Sequence, residues 1–374
     1  MIYIQGYFDP IKLSYTEGFL VFWALMLVAY LGLCIAEYHW GEASNKFESS
    51  LFWAFGSAMV IFAAERSIGL ARDDFGYIAI YDTLCPSLSC GQFIQGQRDA
   101  GWYFLIGLLK SLFHDPRIMF WLSALGLLVK LTIIYSIVKR PFPVLLLYTA
   151  IYYQIQDLTA LRASLVITVF MLAIWLFLQN KKLYGLTALF SCGIFHQQGF
   201  VAPMILFGDF FKTNYYALFL ICFLSIIFLT FGFYPRLDII IPKFGAWFQD
   251  LVFNERFENY LDDKKVSADF GFKNAPIVVY PQIFFIFWLL IRSHMMGEKL
   301  NSLLIGCLLM GCLFLWGFGS LPVMQVRFFE FFMVPTLLLA GFHRLRWFEI
   351  LGLITVAALF VAKYNIVNKI FVQT

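Results

Sequence analysis

Charged residues are scarce in this sequence: Asp, Glu, Lys and Arg make up 13% of its 374 residues, against about 25% in an ordinary globular protein. Apolar residues make up 61%, and most of the chain divides into segments of about 20 apolar residues, the length that crosses a bilayer. This composition excludes a soluble domain. The net charge is only +4 and no clustered basic face accompanies it, which excludes nucleic acid as a partner. The sequence therefore predicts one integral membrane domain over residues 1–374, surrounded by membrane lipid.

Cysteine is rare as well, and its seven copies are an odd number. Five of them lie in apolar runs, where a thiol packs like a small hydrophobic group. Cys85 and Cys90 instead share a polar loop. Their C-x4-C spacing fits either a local disulfide, if the loop faces an oxidising compartment, or two free thiols.

Long apolar runs are abundant, and they predict an all-α helical bundle with about 11–12 transmembrane helices. Three of the runs (141–153, 183–195 and 198–211) are short enough to be re-entrant or broken helices. The predicted spans are 17–36, 51–70, 116–138, 141–153, 161–179, 183–195, 198–211, 214–233, 276–293, 300–317, 322–342 and 347–365.

The short basic loops predict the orientation, because Lys and Arg near span ends stay on the cytoplasmic side. With all of these loops inside, two long hydrophilic loops (71–115 and 234–275), the turn at 154–160 and the turn at His196 lie outside. In the second long loop, Phe244, Trp247 and Leu251 share a helical face, which predicts one or two short amphipathic helices at the membrane surface. These helices fit either a lid over a glycan or a segment that only seals the bundle.

Polar side chains near the span ends gather at one predicted depth, on the outer side. An ionisable group at the hydrocarbon centre costs about 2.5–3.5 kcal/mol, so such groups persist mainly for function or pairing. Arg162 and Arg327 are the most informative, because each opens an apolar helix on the side where positive residues are disfavoured. The full set is Glu65, Arg66, Arg72, Asp73, Asp74, Tyr77, Asp82, Gln154, Gln156, Asp157, Arg162, His196, Gln197, Gln198, Arg327 and Glu330.

Each of these residues also has a structural interpretation. An arginine at a span end can extend to lipid headgroups, and a single histidine can be a hydrogen-bonded packing residue. Asp73 and Asp74 can cap a helix or hold a neighbouring arginine. The joint pattern is more informative than any single residue.

Several arginines at a lipid boundary suit a diphosphate headgroup, because guanidinium is always charged and binds phosphate through two parallel hydrogen bonds. A sugar hydroxyl that attacks the anomeric carbon of a lipid diphosphate needs a proton acceptor, for which His196 and Asp73 or Asp74 are candidates. Arginine can stabilise the charge on the leaving diphosphate. The pattern therefore favours glycosyl transfer from a polyprenyl diphosphate.

Five short elements, in order, resemble those of the EpsG/Wzy-type polysaccharide polymerases of bacterial surface-glycan pathways, which are related in architecture to GT-C glycosyltransferases. Three positions differ from the usual family pattern: Asp99 stands for Glu, Ala100 for Pro and Ala163 for Gln. The elements are 72–81 against D-x3-Y-x3-Y through Asp73, Tyr77 and Tyr81, 99–103 against E-P-G-[FY], 161–166 against I-R-Q-x-[IL]-A, 195–203 against I-H-x-[ST]-[AG], and 327–332 against the C-terminal arginine helix.

The resemblance implies a polymerase that joins undecaprenyl-diphosphate-linked repeat units into O-antigen or a related polysaccharide at the periplasmic face of the bacterial inner membrane. It implies that Arg72, Arg162 and Arg327 contact diphosphate and that His196 or Asp73 accepts the proton, with Asp74 beside it. We expect no cofactor, no obligatory metal, and a possible chain-length regulator protein as partner. The supporting residues are Glu65, Arg66, Tyr77, Tyr81, Asp99, Gln156, Asp157, Gln197 and Glu330.

Three other functions are alternatives: a flippase, an O-antigen ligase and an acyltransferase. A flippase for the same lipid-linked oligosaccharide would place arginines at mid-depth and on both sides, whereas here the charges gather on one side and spans 214–233 and 300–317 carry none. An O-antigen ligase is barely separated from a polymerase by sequence. An acyltransferase would need His196 on the cytoplasmic side.

Overall fold

The computed structural model describes residues 5–40, 44–71, 73–83, 99–211, 215–235, 275–292 and 298–363. Within these ranges all regular structure is helical. In chain order the elements are α1 (Gln5–Trp40), α2 (Ser44–Glu65), α3 (Asp74–Thr83), α4 (Ala100–Leu112), α5 (Ile118–Ile137), α6 (Pro141–Tyr148), a π-helix (Thr149–Thr159), α7 (Leu161–Leu178), α8 (Lys182–Phe195), a 3-10 helix (Gln197–Phe210), α9 (Tyr215–Thr230), α10 (Ala275–Arg292), α11 (Glu298–Gly317), α12 (Pro322–Met333), a second 3-10 helix (Pro335–Gly341) and α13 (Trp347–Val361).

Six helical segments in the described part of the chain are long and apolar enough to cross a membrane, and shorter apolar helices accompany them. The prediction of an all-α, multi-pass membrane protein is therefore confirmed. The side of the membrane on which each loop lies stays a prediction. The six segments are Tyr15–Tyr38, Lys46–Glu65, Ile118–Ile137, Leu161–Leu178, Lys299–Gly317 and Met324–Gly341.

The chain forms two compact units. The first contains Met1–Phe200 and Leu337–Thr374, and the second contains Val201–Thr336. The prediction of one transmembrane domain over residues 1–374 stays a prediction.

In the first unit, α5 packs between α2 and α7, and α7 packs on α8. Arg140, which follows α5, connects helices at one end of this unit through ion pairs. Its Nη1 donates to Glu37 Oε1 of α1 at 2.5 Å, and its Nε donates to Glu48 of α2. Glu48 also accepts from the backbone N–H of Phe142 at 3.2 Å. One arginine thus ties α1, α2 and the start of α6 together.

The predicted turn at 154–160 is wrong. The helix that begins at Pro141 continues as a π-helix to Thr159. Gln154, Gln156 and Asp157, which suggested a solvated turn, are all buried. These polar side chains make contacts inside the unit. A polar stretch that resembles an exposed loop in the sequence is therefore buried here.

In the second unit, the 3-10 helix and α11 approach each other through their backbones. A Cβ on Gly208 would lie 2.0 Å from the carbonyl oxygen of Ser302, and one on Gly306 would lie 1.9 Å from that of Ile205. Ser302 Oγ also donates to Asp209 Oδ1 at 2.5 Å. Only glycine permits this contact on either helix.

Contacts at the other end of the second unit join α9, α10 and α11. The hydroxyl oxygens of Thr230 in α9 and Tyr280 in α10 lie 3.0 Å apart. Trp316 Nε1 of α11 donates to the carbonyl oxygen of Phe233 at 2.7 Å. The ends of α9 and α11 and the beginning of α10 therefore lie on one side of this unit.

Candidate functional site

A buried aromatic cluster collects residues from four helices at one end of the first unit. In this cluster Tyr77 and Trp102 have ring centroids 5.7 Å apart. It joins α3, the beginning of α4, the beginning of α5 and the beginning of α7. Its fully buried members are Tyr77, Tyr81, Trp102, Ile106, Met119, Phe120 and Leu161.

Arg66 and Asp74 form a buried ion pair beside this cluster. Arg66 Nη1 donates to Asp74 Oδ2 at 2.7 Å and Nη2 to Oδ1 at 2.8 Å. The backbone N–H groups of Gly69 and Ala71 also donate to Asp74 Oδ2, at 3.1 and 3.0 Å. The guanidinium lies 4.1 Å from the centroid of the Phe120 ring. Four donated hydrogen bonds fix this carboxylate. Asp74 therefore holds a neighbouring arginine in place, which was one structural interpretation of the pair Asp73 and Asp74, and that arginine is Arg66.

Arg162 opens α7 and reaches the beginning of α4. Its Nη1 donates to Asp99 Oδ2 at 2.5 Å, and its Cζ lies 5.9 Å from the centroid of the Tyr77 ring. Its Nε is buried and finds no hydrogen-bond partner among the residues that the structure describes. The Arg162 side chain keeps 16% of its surface exposed, whereas that of Arg66 has none. The Arg162 guanidinium is thus held by Asp99 and by a hydrogen bond with Tyr77, and part of its surface stays open to a ligand.

Tyr77 contributes a phenol to the same place. Burial raises the pKa of its hydroxyl above the usual value, while the Arg162 guanidinium opposes that rise. The phenol therefore stays protonated over the physiological pH range and can donate a hydrogen bond.

His196 follows α8 directly, and the end of α8 contacts the beginning of α4. A Cβ on Gly101 would lie 2.8 Å from Ile194 Cγ2 and 3.1 Å from Phe195 Cδ1. The Nδ1 atom of His196 accepts the backbone N–H of Gln198 at 3.2 Å. In the neutral imidazole the proton then resides on Nε2, which makes Nε2 a donor.

The helix ends that carry Arg66, Asp99, Arg162 and His196 thus lie at one end of the first unit. Asp99, Arg162 and His196 belong to three of the five short sequence elements described above. The profile of the EpsG family matches residues 50–371. The chain belongs to the EpsG family. No curated protein and no solved structure matches it. Membership in the EpsG family supports a polysaccharide polymerase-like role with glycosyltransferase-like activity.

One buried cation of this EpsG-family protein was not among the predicted residues. Lys130, in the interior of α5, is fully buried and donates to Asp157 Oδ1 and to Ser164 Oγ, the latter at 3.0 Å. The available signal was a lysine inside an otherwise apolar span, which indicates pairing or function. Asp157 was among the predicted polar residues, whereas Lys130 was not.

The remaining predicted residues of the EpsG-family chain take different positions. Tyr81 is buried, and its hydroxyl donates to the carbonyl oxygen of Phe113 at 2.5 Å, which ties α3 to the end of α4. Glu65 is exposed while Arg66 is buried, so the two neighbours face different sides. In the second unit Arg327 is exposed and Glu330, three residues on, is buried. The predicted meeting of Arg327 with Arg162 stays a prediction.

Some predicted features lie in parts of the chain that the structure does not describe. Arg72, Cys85, Cys90 and the side chain of Gln197 lie outside the described residues, as does the loop 236–274 with its predicted amphipathic helices. Among the described residues, no group of three or more His, Cys, Asp or Glu side chains is arranged to hold a metal ion.

Proposed function

We propose that this EpsG-family protein polymerises undecaprenyl-diphosphate-linked oligosaccharide repeat units into O-antigen or a related surface polysaccharide, at the periplasmic face of the bacterial inner membrane. The observation that carries the proposal is Arg162: a guanidinium at the start of an apolar helix, oriented by Asp99, with a buried Nε that has no partner in the described part of the chain. A buried donor without a partner is costly, so it favours a ligand that supplies an acceptor.

A diphosphate fits the donors at this position. Arg162 offers a planar fork of N–H groups, and the protonated Tyr77 hydroxyl lies beside it. The Nε of Arg66 is likewise buried without a partner in the described part of the chain. Arg66 is nevertheless a poor candidate for the same role, because Asp74 already accepts from two of its N–H groups and its side chain has no exposed surface that a ligand could reach. We assign the diphosphate contact to Arg162, together with Arg72 and the exposed Arg327.

The proposed reaction takes a lipid-linked glycan as donor and another as acceptor. A hydroxyl of the acceptor glycan attacks the anomeric carbon of the donor sugar. A new C–O bond forms, the bond between the anomeric carbon and the diphosphate oxygen breaks, and undecaprenyl diphosphate leaves with the electron pair. Arg162 stabilises the charge that develops on that oxygen. The hydroxyl proton passes to a carboxylate or imidazole of the protein.

We assign proton acceptance to Asp73. Its neighbour Asp74 already accepts four hydrogen bonds and has no exposed surface. His196 presents a protonated Nε2 when neutral, because Nδ1 is occupied by the N–H of Gln198. Asp73 is half-buried and lies close enough to Tyr77 to affect its pKa. His196 then serves as a hydrogen-bond donor to the glycan or the diphosphate.

The flippase alternative calls for cations at mid-depth that face a substrate path. Lys130 lies in the interior of α5, as a flippase cation would. Asp157 neutralises its charge, however, and its buried side chain faces no substrate path. Its pairing therefore favours a polymerase over a flippase. A chain-length regulator protein is proposed as a partner, and no cofactor or metal is required by the proposed steps.

The test is polymer formation in vitro from purified lipid-linked repeat unit, comparing the native protein with Arg162→Ala, Arg327→Ala and His196→Ala. We expect each variant to remain folded and to elongate at least about tenfold more slowly. Normal elongation by all three folded variants would show that the site is wrong.

A deletion strain separates polymerase from the alternatives. Loss of a polymerase leaves single repeat units on the lipid core, whereas loss of a ligase or flippase leaves bare core. A bare core would overturn the proposal.

A further inference from the structure

Lys130 lies deep in the first unit, at the thirteenth of the 20 positions of α5. Its side chain has 1% of its surface exposed. A lysine in such a place persists when it is paired or has a function. Lys130 donates to the Asp157 carboxylate and, at 3.0 Å, to Ser164 Oγ. It therefore joins α5 both to the π-helix and to α7.

The Asp157 carboxylate is the centre of this network. Its Oδ1 also accepts Ser164 Oγ at 2.6 Å, and its Oδ2 accepts the hydroxyl of Tyr148 at 2.6 Å. Ser123 Oγ of α5 donates to the backbone carbonyl of Asp157 at 3.0 Å. Side chains from α5, α6 and α7 thus converge on the last turn of the π-helix. A buried network whose members are paired holds its elements in one arrangement.

The network brackets Arg162 along the chain. Asp157 lies five residues before it and Ser164 lies two residues after it. Between them the backbone changes from π-helix to α-helix: the N–H of Ala160 donates to the carbonyl of Ile155, and the N–H of Ser164 donates to the carbonyl of Ala160, both at 2.9 Å. The direction in which Arg162 leaves the backbone is set by this junction.

We propose that Lys130 is a positioning residue: it fixes the junction between the π-helix and α7, and so aims the Arg162 guanidinium at Asp99 and at the substrate diphosphate. Lys130 itself does not bind the substrate, since Asp157 takes up its charge and no surface is open to a ligand. The kinetic part of this inference rests on the proposed function, and the structural part does not.

Three variants test the proposal in purified protein reconstituted in nanodiscs. Lys130→Met combined with Asp157→Asn removes both charges, so no unpaired charge stays buried. Ser164→Ala leaves the ion pair intact and removes its link to α7. Lys139→Met makes the same lysine change at an exposed position just beyond α5 and is the matched control.

Two measurements are made on each variant. Hydrogen exchange of the backbone amides at 160–164 reports the junction without reference to activity. We expect at least about tenfold faster exchange there in the double variant, a smaller increase in Ser164→Ala, and no change in Lys139→Met or in α13. Steady-state polymerisation should show about a tenfold fall in kcat/KM for the double variant. The fall should be divided between a higher KM for the lipid-linked donor, whose diphosphate Arg162 binds, and a lower kcat, because Arg162 also stabilises the leaving diphosphate.

A third measurement separates positioning from general destabilisation. In the Arg162→Ala background, adding the double variant should change kcat/KM by less than about twofold, because residues that act through one another are not additive. A full, multiplicative loss in that background would overturn the proposal. Native exchange and native KM in both the double variant and Ser164→Ala would overturn it too.

Failure of the proposed function gives a different result. If the native protein makes no polymer from lipid-linked repeat units, the polymerase assignment is wrong, and the exchange measurement still decides whether Lys130 holds the junction. If the double variant does not fold, Ser164→Ala decides the same question by exchange and by KM.

Discussion

Arg66 and Asp74 face each other across the turn between α2 and α3 and share two parallel hydrogen bonds, at 2.7 and 2.8 Å. Both side chains are completely buried. This pair separates the arginines of the site into two kinds. Arg66 stabilises the turn before α3, the helix that contains Tyr77. The Arg162 side chain is instead partly exposed, so a ligand can reach it.

Asp74→Asn should destabilise the protein by about 3–5 kcal/mol, because it leaves the Arg66 charge buried without its counter-ion. The measurement is unfolding in detergent, by heat or denaturant. Asp73→Asn is the matched control: that side chain is half-buried, and its stability should change by less than about 1 kcal/mol. Equal losses in the two variants would mean that Asp74 does not hold the turn.

Arg162→Lys should fold normally and lose about ten- to hundredfold in kcat/KM for polymerisation. Lysine presents a single charged nitrogen, so it can contact Asp99 or the diphosphate but cannot hold both in the geometry of a guanidinium. The assay is elongation of purified lipid-linked repeat unit. Native activity in this variant would show that one positive charge suffices and that the fork of donors is not used.

His196→Asn and His196→Gln separate the two ring nitrogens. The Asn side chain can accept the N–H of Gln198 as Nδ1 does, whereas the Gln side chain places an amide near the position of Nε2. If His196 donates through Nε2, the Gln variant should keep more polymerase activity than the Asn variant, with the Asn variant retaining native stability. The opposite ranking of activity would indicate that His196 works through its Nδ1 contact alone.

Gly199→Ala should destabilise the turn that carries His196. A Cβ there would lie 2.1 Å from the carbonyl carbon of Cys192, so the 3-10 helix would have to move away from α8. A loss of about 1–3 kcal/mol is expected on unfolding. Gly76→Ala in α3, where nothing lies within 4 Å of the added methyl, is the control and should be neutral or gain up to about 1 kcal/mol.

Arg140→Gln should cost about 3–5 kcal/mol of stability, because Glu48 then stays buried beside Glu37 without a positive partner. Arg344→Gln is its control: Arg344 contacts Glu37 at 3.5 Å but is 57% exposed, and such pairs contribute about 0–1 kcal/mol. A small loss in Arg140→Gln would show that α1, α2 and α6 are held by packing instead.

The sequence predicted the helices well, because long apolar runs leave few alternatives for a chain in lipid. It also placed Arg66, Asp74, Arg162 and His196 near span ends and Asp99 in a family-like element, and the structure brings the helix ends that carry them to one end of the first unit. The pairing of these residues was less predictable. Asp73 and Asp74 were interpreted as able to cap a helix or hold a neighbouring arginine, without a partner being named. For Asp74 that arginine is Arg66, eight residues away across a turn whose shape depends on tertiary packing.

The π-helix and Lys130 were missed for one physical reason. Gln154, Gln156 and Asp157 are polar, and in a hydropathy pattern polar residues after an apolar run indicate a loop. Their actual surroundings are set by Lys130, Tyr148 and Ser164, which come from other helices. Polarity along the chain cannot distinguish a side chain facing water from one facing a buried partner.

The two glycines at the crossing of the 3-10 helix and α11 have a mechanical consequence. With the Gly208 backbone against Ser302 and the Gly306 backbone against Ile205, main-chain atoms of the two helices are in direct contact at both points. Sliding or rotation of one past the other would bring main-chain atoms into collision. Any movement within the second unit must therefore carry these two helices together.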